Sequence, residues 1–355
     1  MGLECPTVDH GEIYCIREVD FLTQKPGPYV KLGKTSRDTA QRLREHQTGN
    51  PRQETAEFVL YTDMMSSLEK FLHYRFAPKC VNSEWFIMDT PTVMSDVVPL
   101  IQTLAAEHKK VRSSFDEWKK QASTVSNGNT IPANSAHNKL HSEYLKLWER
   151  YKKAQGIHDI SKLDVQLLIK TNNGIENMAY LITSEKRDFD KDAFLASLSS
   201  DTERNKCHKD ERKIRPKAPK ITGELSLAKI DSALNDSLKL KKKAYDSARP
   251  TPANLSNTTA TVTTAMEKAH QAYLDSKREL KEAEWELEKI TADLVSHLSD
   301  NDSIDGVITW KREEKFSKKF EKDLAKRHFP AIYPKFEGAP YTIIRRVNID
   351  DGKKY

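Results

Sequence analysis

Met266, Tyr273, Leu280, Leu287 and Leu294 stand seven residues apart, and Ala269, Ala283 and Ile290 fill most of the intervening steps. A seam sustained for about five repeats dictates a long helix with one continuous apolar stripe, which a second helix must cover. Leu227, Ile230, Leu234, Leu238 and Tyr245 mark a shorter helical pattern just before it, and a Pro- and Thr-rich stretch, 250–264, separates the two. The pair reads as an antiparallel helical hairpin. A coiled-coil dimer interface is the other way to cover the seam.

Charge divides the chain differently. Of 355 residues, 58 are Lys or Arg and 52 Asp or Glu, a net +6. Residues 1–105 carry 11 and 14 of these, a balance of −3, which leaves +9 for the remainder. A polyanion would be gripped mainly outside the first hundred residues, although a solvated surface accounts for the same excess. No window holds the ~18 unbroken apolar residues of a membrane span, so no membrane partner is expected. The N-terminal residues have neither a basic nor an apolar run, so no secretory signal is expected. Cys5, Cys15, Cys80 and Cys207 form no CxxC pair, which argues against zinc ribbons and disulfide frameworks and for a reducing cytoplasm.

Residues 10–105 read as a compact α/β unit. Residues 12–17 alternate as a strand, Gln24-Lys25-Pro26-Gly27-Pro28 is a turn, and Tyr29-Val30-Lys31-Leu32-Gly33 returns as the second strand of a hairpin. A helix follows, capped by Thr35 or Ser36, favoured by Asp38 and stopped at Gly49. Residues 58–61 form a third strand. Ser66 or Ser67 caps a second helix that ends near Pro78, and residues 84–87 form a last short strand.

Tyr14, Lys31, Gly33, Lys34, Arg42, His46 and Glu69 stand out in this unit. Arg42 and His46, four apart, share a helix face, and Glu69 falls in the first turn of the next helix. Converging, these residues supply a hydroxyl, several cations, an imidazole and one carboxylate. Phosphodiester hydrolysis needs such a set: a base for water, cations for the phosphate and an oxygen ligand for a divalent metal. Each also has an ordinary structural role. A strand tyrosine packs in cores, Arg42 and Glu69 can form a surface ion pair, and a lone histidine is commonly just exposed.

Gly11-Glu12-Ile13-Tyr14, Val30-Lys31-Leu32-Gly33-Lys34-Thr35, Arg42-Leu43-Arg44-Glu45-His46, Leu68-Glu69-Lys70 and Glu84-Trp85-Phe86 together resemble the GIY-YIG nuclease domain. The likeness is greatest to its phage-type, homing- and restriction-like branch. It implies a metal-dependent DNA endonuclease acting on double-stranded DNA. Tyr14 would deprotonate or orient the attacking water, Arg42 would stabilise the transition state, and His46 would contact phosphate or relay a proton. Glu69 would hold Mg²⁺ or Mn²⁺, and Lys34 would add a phosphate contact. Lys31 stands where the family has its second tyrosine, which puts a two-tyrosine mechanism in doubt. A catalytically inactive DNA-binding or regulatory protein of the same fold is the alternative.

The expected fold is α+β: a 1–105 nuclease-like domain with a short antiparallel or mixed sheet and flanking helices, then a mainly helical region. That region divides into a helical segment at 106–200, a basic linker at 201–222 and a 223–355 module with the long hairpin. Within 106–200, residues 123–134 read as a loop, and Leu140, Tyr144, Leu147, Trp148 and Tyr151 mark one helix face. Residues 156–200 read as a small helical unit. Residues 205–220 hold seven cations and two acids, making Lys206, Lys209, Arg212 and Lys213 candidate phosphate contacts. The aromatic and basic tail from Trp310 to Arg346 resembles, faintly, the C-terminal region of YqaJ-type viral exonucleases. It implies a DNA-docking or partner-docking module, with a homodimer or a replication protein as the partner. The source implied is a bacterial or virus-infected cell and a mobile element.

Overall fold

In the computed structural model, residues 5, 7–47, 52–216 and 218–350 are described, without the side chains of His46, Arg212, Lys213, Arg215 and Pro216. The chain is α+β, with an N-terminal antiparallel sheet and a largely helical remainder.

The N-terminal elements are β1 (Gly11–Val19), β2 (Pro26–Thr35), α1 (Thr39–Gln47), β3 (Gln53–Thr62), α2 (Met65–Arg75), β4 (Cys80–Asn82) and β5 (Trp85–Ile87). The strands form one antiparallel sheet in the order β3-β1-β2-β5-β4. Strand alternation sorts its residues. Ile13, Cys15, Val30 and Leu32 lie on the face that packs with Leu68 and Leu72 of α2 and with Phe86. Tyr14, Lys31 and Gly33 belong to the opposite face.

Two helix starts differ from expectation. Asp38, not Thr35 or Ser36, accepts from the first amides of α1 (Ala40 and Gln41, at 2.6 and 3.3 Å). The start of α2 is held by Asp9, which accepts from the Ser66 amide at 3.0 Å, and neither Ser66 nor Ser67 caps it. Both ends are satisfied by acids, which suit the positive pole of a helix. Gly49 lies outside the described residues.

The boundary expected at 105 falls inside a continuous helix, Val98–Ala122. Ile101 and Leu104 belong to the core of the N-terminal sheet, while Phe115 and Trp118 belong to the helical core. One rigid rod therefore joins the two units.

The seam helix is Thr264–Ser296, and Tyr273, Leu287, Ile290 and Leu294 on it are buried. Its cover is not the 227–245 helix. It packs antiparallel against Ser135–Ile169, as His137 beside His297 and His158 beside Tyr273 show. At 33 and 35 residues the two helices match in length, each about 50 Å. The helix Ser232–Ala248 is too short for that seam and lies on another side of 135–169. Gly156 makes room for it and for the short helix Leu227–Ile230 before it, because a Cβ there would sit 2.8 Å from Leu227 and 3.1 Å from Leu234.

Residues 201–222 are not a linker. They form a short helix, Asp201–Lys206, and a strand, His208–Pro216, paired over its whole length with Arg312–Phe320. Residues 156–200 are no helical unit either. Leu167 and Leu168 end the long helix, Ala179–Lys186 is a strand paired with Tyr341–Ile349, and Phe194 sits on the helix Lys191–Ser197. The 223–355 segment is therefore interwoven with what precedes it. The two-stranded ribbon 208–216/312–320 and the pair 179–186/341–349, which belongs to a four-stranded sheet, lead to a small lobe whose core is Phe194, Leu198, Cys207, Ala325 and Tyr333, with Phe189, Phe320, Phe329 and Phe336 against it. Tail aromatics thus build a core, as does Trp310 in the helical body. All four cysteines are unbridged. Among the described residues no helix is long and apolar enough to cross a membrane.

Candidate active site

Tyr14 is buried in mid-β1, directly opposite Gly33 of β2. A Cβ at Gly33 would lie 2.6 Å from the Tyr14 ring and hydroxyl. The glycine is what lets the phenol lie down across the neighbouring strand. Gly33→Ala is therefore expected to push the ring aside and slow any reaction that uses its hydroxyl by roughly ten- to a hundredfold. Overpacking would also cost about 1–3 kcal/mol of stability. Rate and thermal melting measured together check both, and an unchanged rate would mean the hydroxyl is not used where it lies.

The Arg42 guanidinium lies near enough to the phenol to favour its ionised form. Arg42 reaches it because Glu12, in the same strand as Tyr14, accepts from the Thr39 amide at 2.7 Å and fixes the start of α1. Arg42 also pairs with Glu45 at 3.1 Å, and Glu45 is shared with Arg37 at 2.7 Å. Burial pushes the Tyr14 hydroxyl up to about 12; the nearby carboxylates of Glu84 and Glu69 add to this and Arg42 opposes it. The phenol is thus neutral near neutral pH.

Glu69 is on α2, in its second turn rather than its first. Its partner is Lys34, 3.1 Å away, not Arg42. Lys34 also donates to Ser66 Oγ at 2.7 Å, and Ser66 Oγ donates to Asp9. Lys31 is held by Glu84 at 3.5 Å. Tyr14, Arg42, Glu69, Lys31 and Lys34 therefore gather around one end of the sheet. His46 is on α1, and its side chain lies outside the described residues. Lys206 and Lys209 belong to the distant helix and ribbon strand, as do Arg212 and Lys213, whose side chains are not described.

Asp9 and Glu84 escaped sequence reasoning as site residues. Glu84 was within reach, since it precedes Trp85 in a recognised motif. Asp9 carries no spacing signal and is recruited only by the fold. Among the described residues no group of three or more His, Cys, Asp or Glu could enclose a metal ion. A single, partly exposed carboxylate such as Glu69 still suits Mg²⁺, which retains most of its waters and takes one or two carboxylates. Lys34 would have to yield part of that carboxylate.

Fold and cluster define a small α+β module with charged residues at one end of its sheet, Lys34 and Glu69 on the α2 side and Tyr14 and Lys31 on the other. Residues 11–119 match the T5orf172 domain, a phage-associated domain related to GIY-YIG- and HNH-type nucleases. The match spans under a third of the chain and reaches into the Val98–Ala122 helix. None specific to GIY-YIG nucleases or to YqaJ exonucleases accompanies it. No curated protein and no solved structure matches the chain.

Proposed function

We propose that the protein is a metal-dependent DNA endonuclease of homing-like or phage-conflict type, with Tyr14, Arg42 and Glu69 as its chemical centre. The observation that carries this reading is the Tyr14 hydroxyl laid across Gly33, with the charges of Arg42 and Glu69 near enough to bear on it. Arg42, held protonated by Glu45 and Tyr14, would meet the developing negative charge of the phosphate. Lys31, Lys34 and His46 would bind the flanking phosphate oxygens. Tyr14 would orient the attacking water through its oxygen and accept its proton when ionised. Mg²⁺ or Mn²⁺ on Glu69 would supply further neutralisation of phosphate charge.

Supercoiled plasmid incubated with Mg²⁺ tests the reading, with relaxed or linear product expected. A Tyr14 base with its ionisation raised to about 12 predicts a rate that climbs across roughly pH 7–10 with a slope near one on a logarithmic scale. Glu84→Gln removes a charge that raises the phenol and releases Lys31 to lower it. The climb should then move to lower pH. A rate flat above neutrality would assign the proton transfer to another group.

The second reading, an inactive nuclease fold that binds DNA or regulates, is favoured by Lys31, which stands at a tyrosine position and is paired with Glu84. DNA binding without any relaxed product would support it.

A further inference from the structure

We propose that the ribbon His208–Pro216/Arg312–Phe320 docks into the major groove of duplex DNA through the face that carries Lys209 and Lys319. The proposal rests on the DNA reading above and adds the element that grips the duplex.

The register sets Lys209 against Lys319 and Lys213 against Lys315. Like charges directly opposite in an antiparallel pair destabilise it, and a two-stranded ribbon has no third strand to compensate. Two such pairs on one ribbon make sense when an anion sits across them. Residues opposite one another share a face, and so do every second pair along the strands. Of the described side chains on the Lys209 and Lys319 face, three are cations, Lys209, Lys315 and Lys319, and two are acids, Glu211 and Glu313. Lys209, Lys315 and Lys319 are exposed. Lys319 also lies 3.5 Å from Glu321.

The opposite face meets the protein at its two ends, while Phe316 in its middle is exposed. Arg312 is buried against Asp302 at one end, and Phe320 joins the aromatic lobe at the other. Both ends are thereby fixed and the lysine face is turned away from these anchors. Nine residues in each strand span about 30 Å, close to one turn of B-form DNA at roughly 34 Å. The major groove of B-form DNA admits a two-stranded ribbon, whereas the deep, narrow groove of A-form RNA does not.

The test is equilibrium binding of a labelled DNA duplex, three turns long, to the full chain carrying Glu69→Gln without divalent metal, so that cleavage plays no part. Lys209→Glu with Lys319→Glu is expected to weaken binding at least about tenfold and to reduce the dependence of log affinity on log salt by about two. Lys319→Glu alone sets an acid opposite Lys209. It should melt no lower than the parent protein while binding more weakly, which separates grip from folding. Phe316→Ser, on the exposed middle of the face away from the lysines, should leave affinity unchanged. Equal loss from Phe316→Ser, or an RNA duplex bound through the same lysines as tightly as DNA, would overturn major-groove docking. Strong DNA binding unaltered by the lysine changes would overturn the ribbon but leave the nuclease reading intact. A parent protein that binds no duplex would remove both.

Discussion

Glu69→Ala is expected to lower plasmid relaxation by about 10²–10³-fold, and Arg42→Ala by a similar factor, without a measurable change in melting temperature. The separation of activity from stability follows from the contacts that each neighbour keeps. Without Glu69, Lys34 still donates to Ser66 Oγ at 2.7 Å, so its ammonium is not left unpaired. Removing Arg42 leaves Glu45 still paired with Arg37, so no orphaned charge is created. Arg37→Ala is the internal control: it touches the same Glu45, and no contact ties it to Tyr14. Its rate should stay near that of the parent. If Glu69→Ala retained full activity with an unchanged response to Mg²⁺, the carboxylate would have no catalytic part and the proposed centre would be wrong.

Legibility in the sequence followed the range of the forces involved. The hairpin Tyr14–Gly33, the two helices behind it and the strand at Trp85 were readable because alternation, turns and period are local. Tyr14, Arg42 and Glu69 could be singled out as candidates because motif spacing is local. Their partners could not. Arg42 was set against Glu69 in the ordinary reading, yet it pairs with Glu45 while Glu69 takes Lys34. Those choices depend on strand register and helix placement. The same distinction explains the seam helix. Its heptads announced a covered stripe, but identifying its cover required comparing lengths across more than a hundred residues. The strand 208–216 was missed for a clearer reason: its charged, proline-ended sequence has no apolar alternation, and only pairing with 312–320 makes it a strand.

Asp302→Ala is expected to cost about 3–5 kcal/mol, the largest stability effect of any single change considered. Arg312 is buried to 1 % exposure and bonds Asp302 at 2.6 Å. Without that carboxylate its guanidinium keeps longer contacts, to the carbonyls of Asn301 at 3.2 Å and Gln121 at 3.4 Å, and its place over the Trp310 ring, 5.0 Å from the centroid, but no counter-charge among these. The Gly128 amide, which donates to Asp302 at 2.6 Å, loses its acceptor as well. Replacing both members with apolar residues, Asp302→Leu with Arg312→Met, should recover much of the loss, because no unpaired charge is then left inside. Acid provides an independent check. Burial works against ionisation of Asp302, but Arg312, the Gly128 amide and Ser126 together hold its carboxyl below the usual carboxylate range. A carboxyl depressed in the folded state contributes stability above its unfolded value, near 3.9, and loses it as pH falls through the folded value. The parent protein should therefore lose melting temperature below about pH 4, and Asp302→Ala should lose less over the same interval. Arg312 also begins the ribbon strand, and its amide is held by Ser126. Asp302→Ala should accordingly weaken DNA binding under conditions where the body of the protein is still folded. A variant that melts like the parent and binds DNA equally would show that this buried pair neither stabilises the body nor anchors the ribbon.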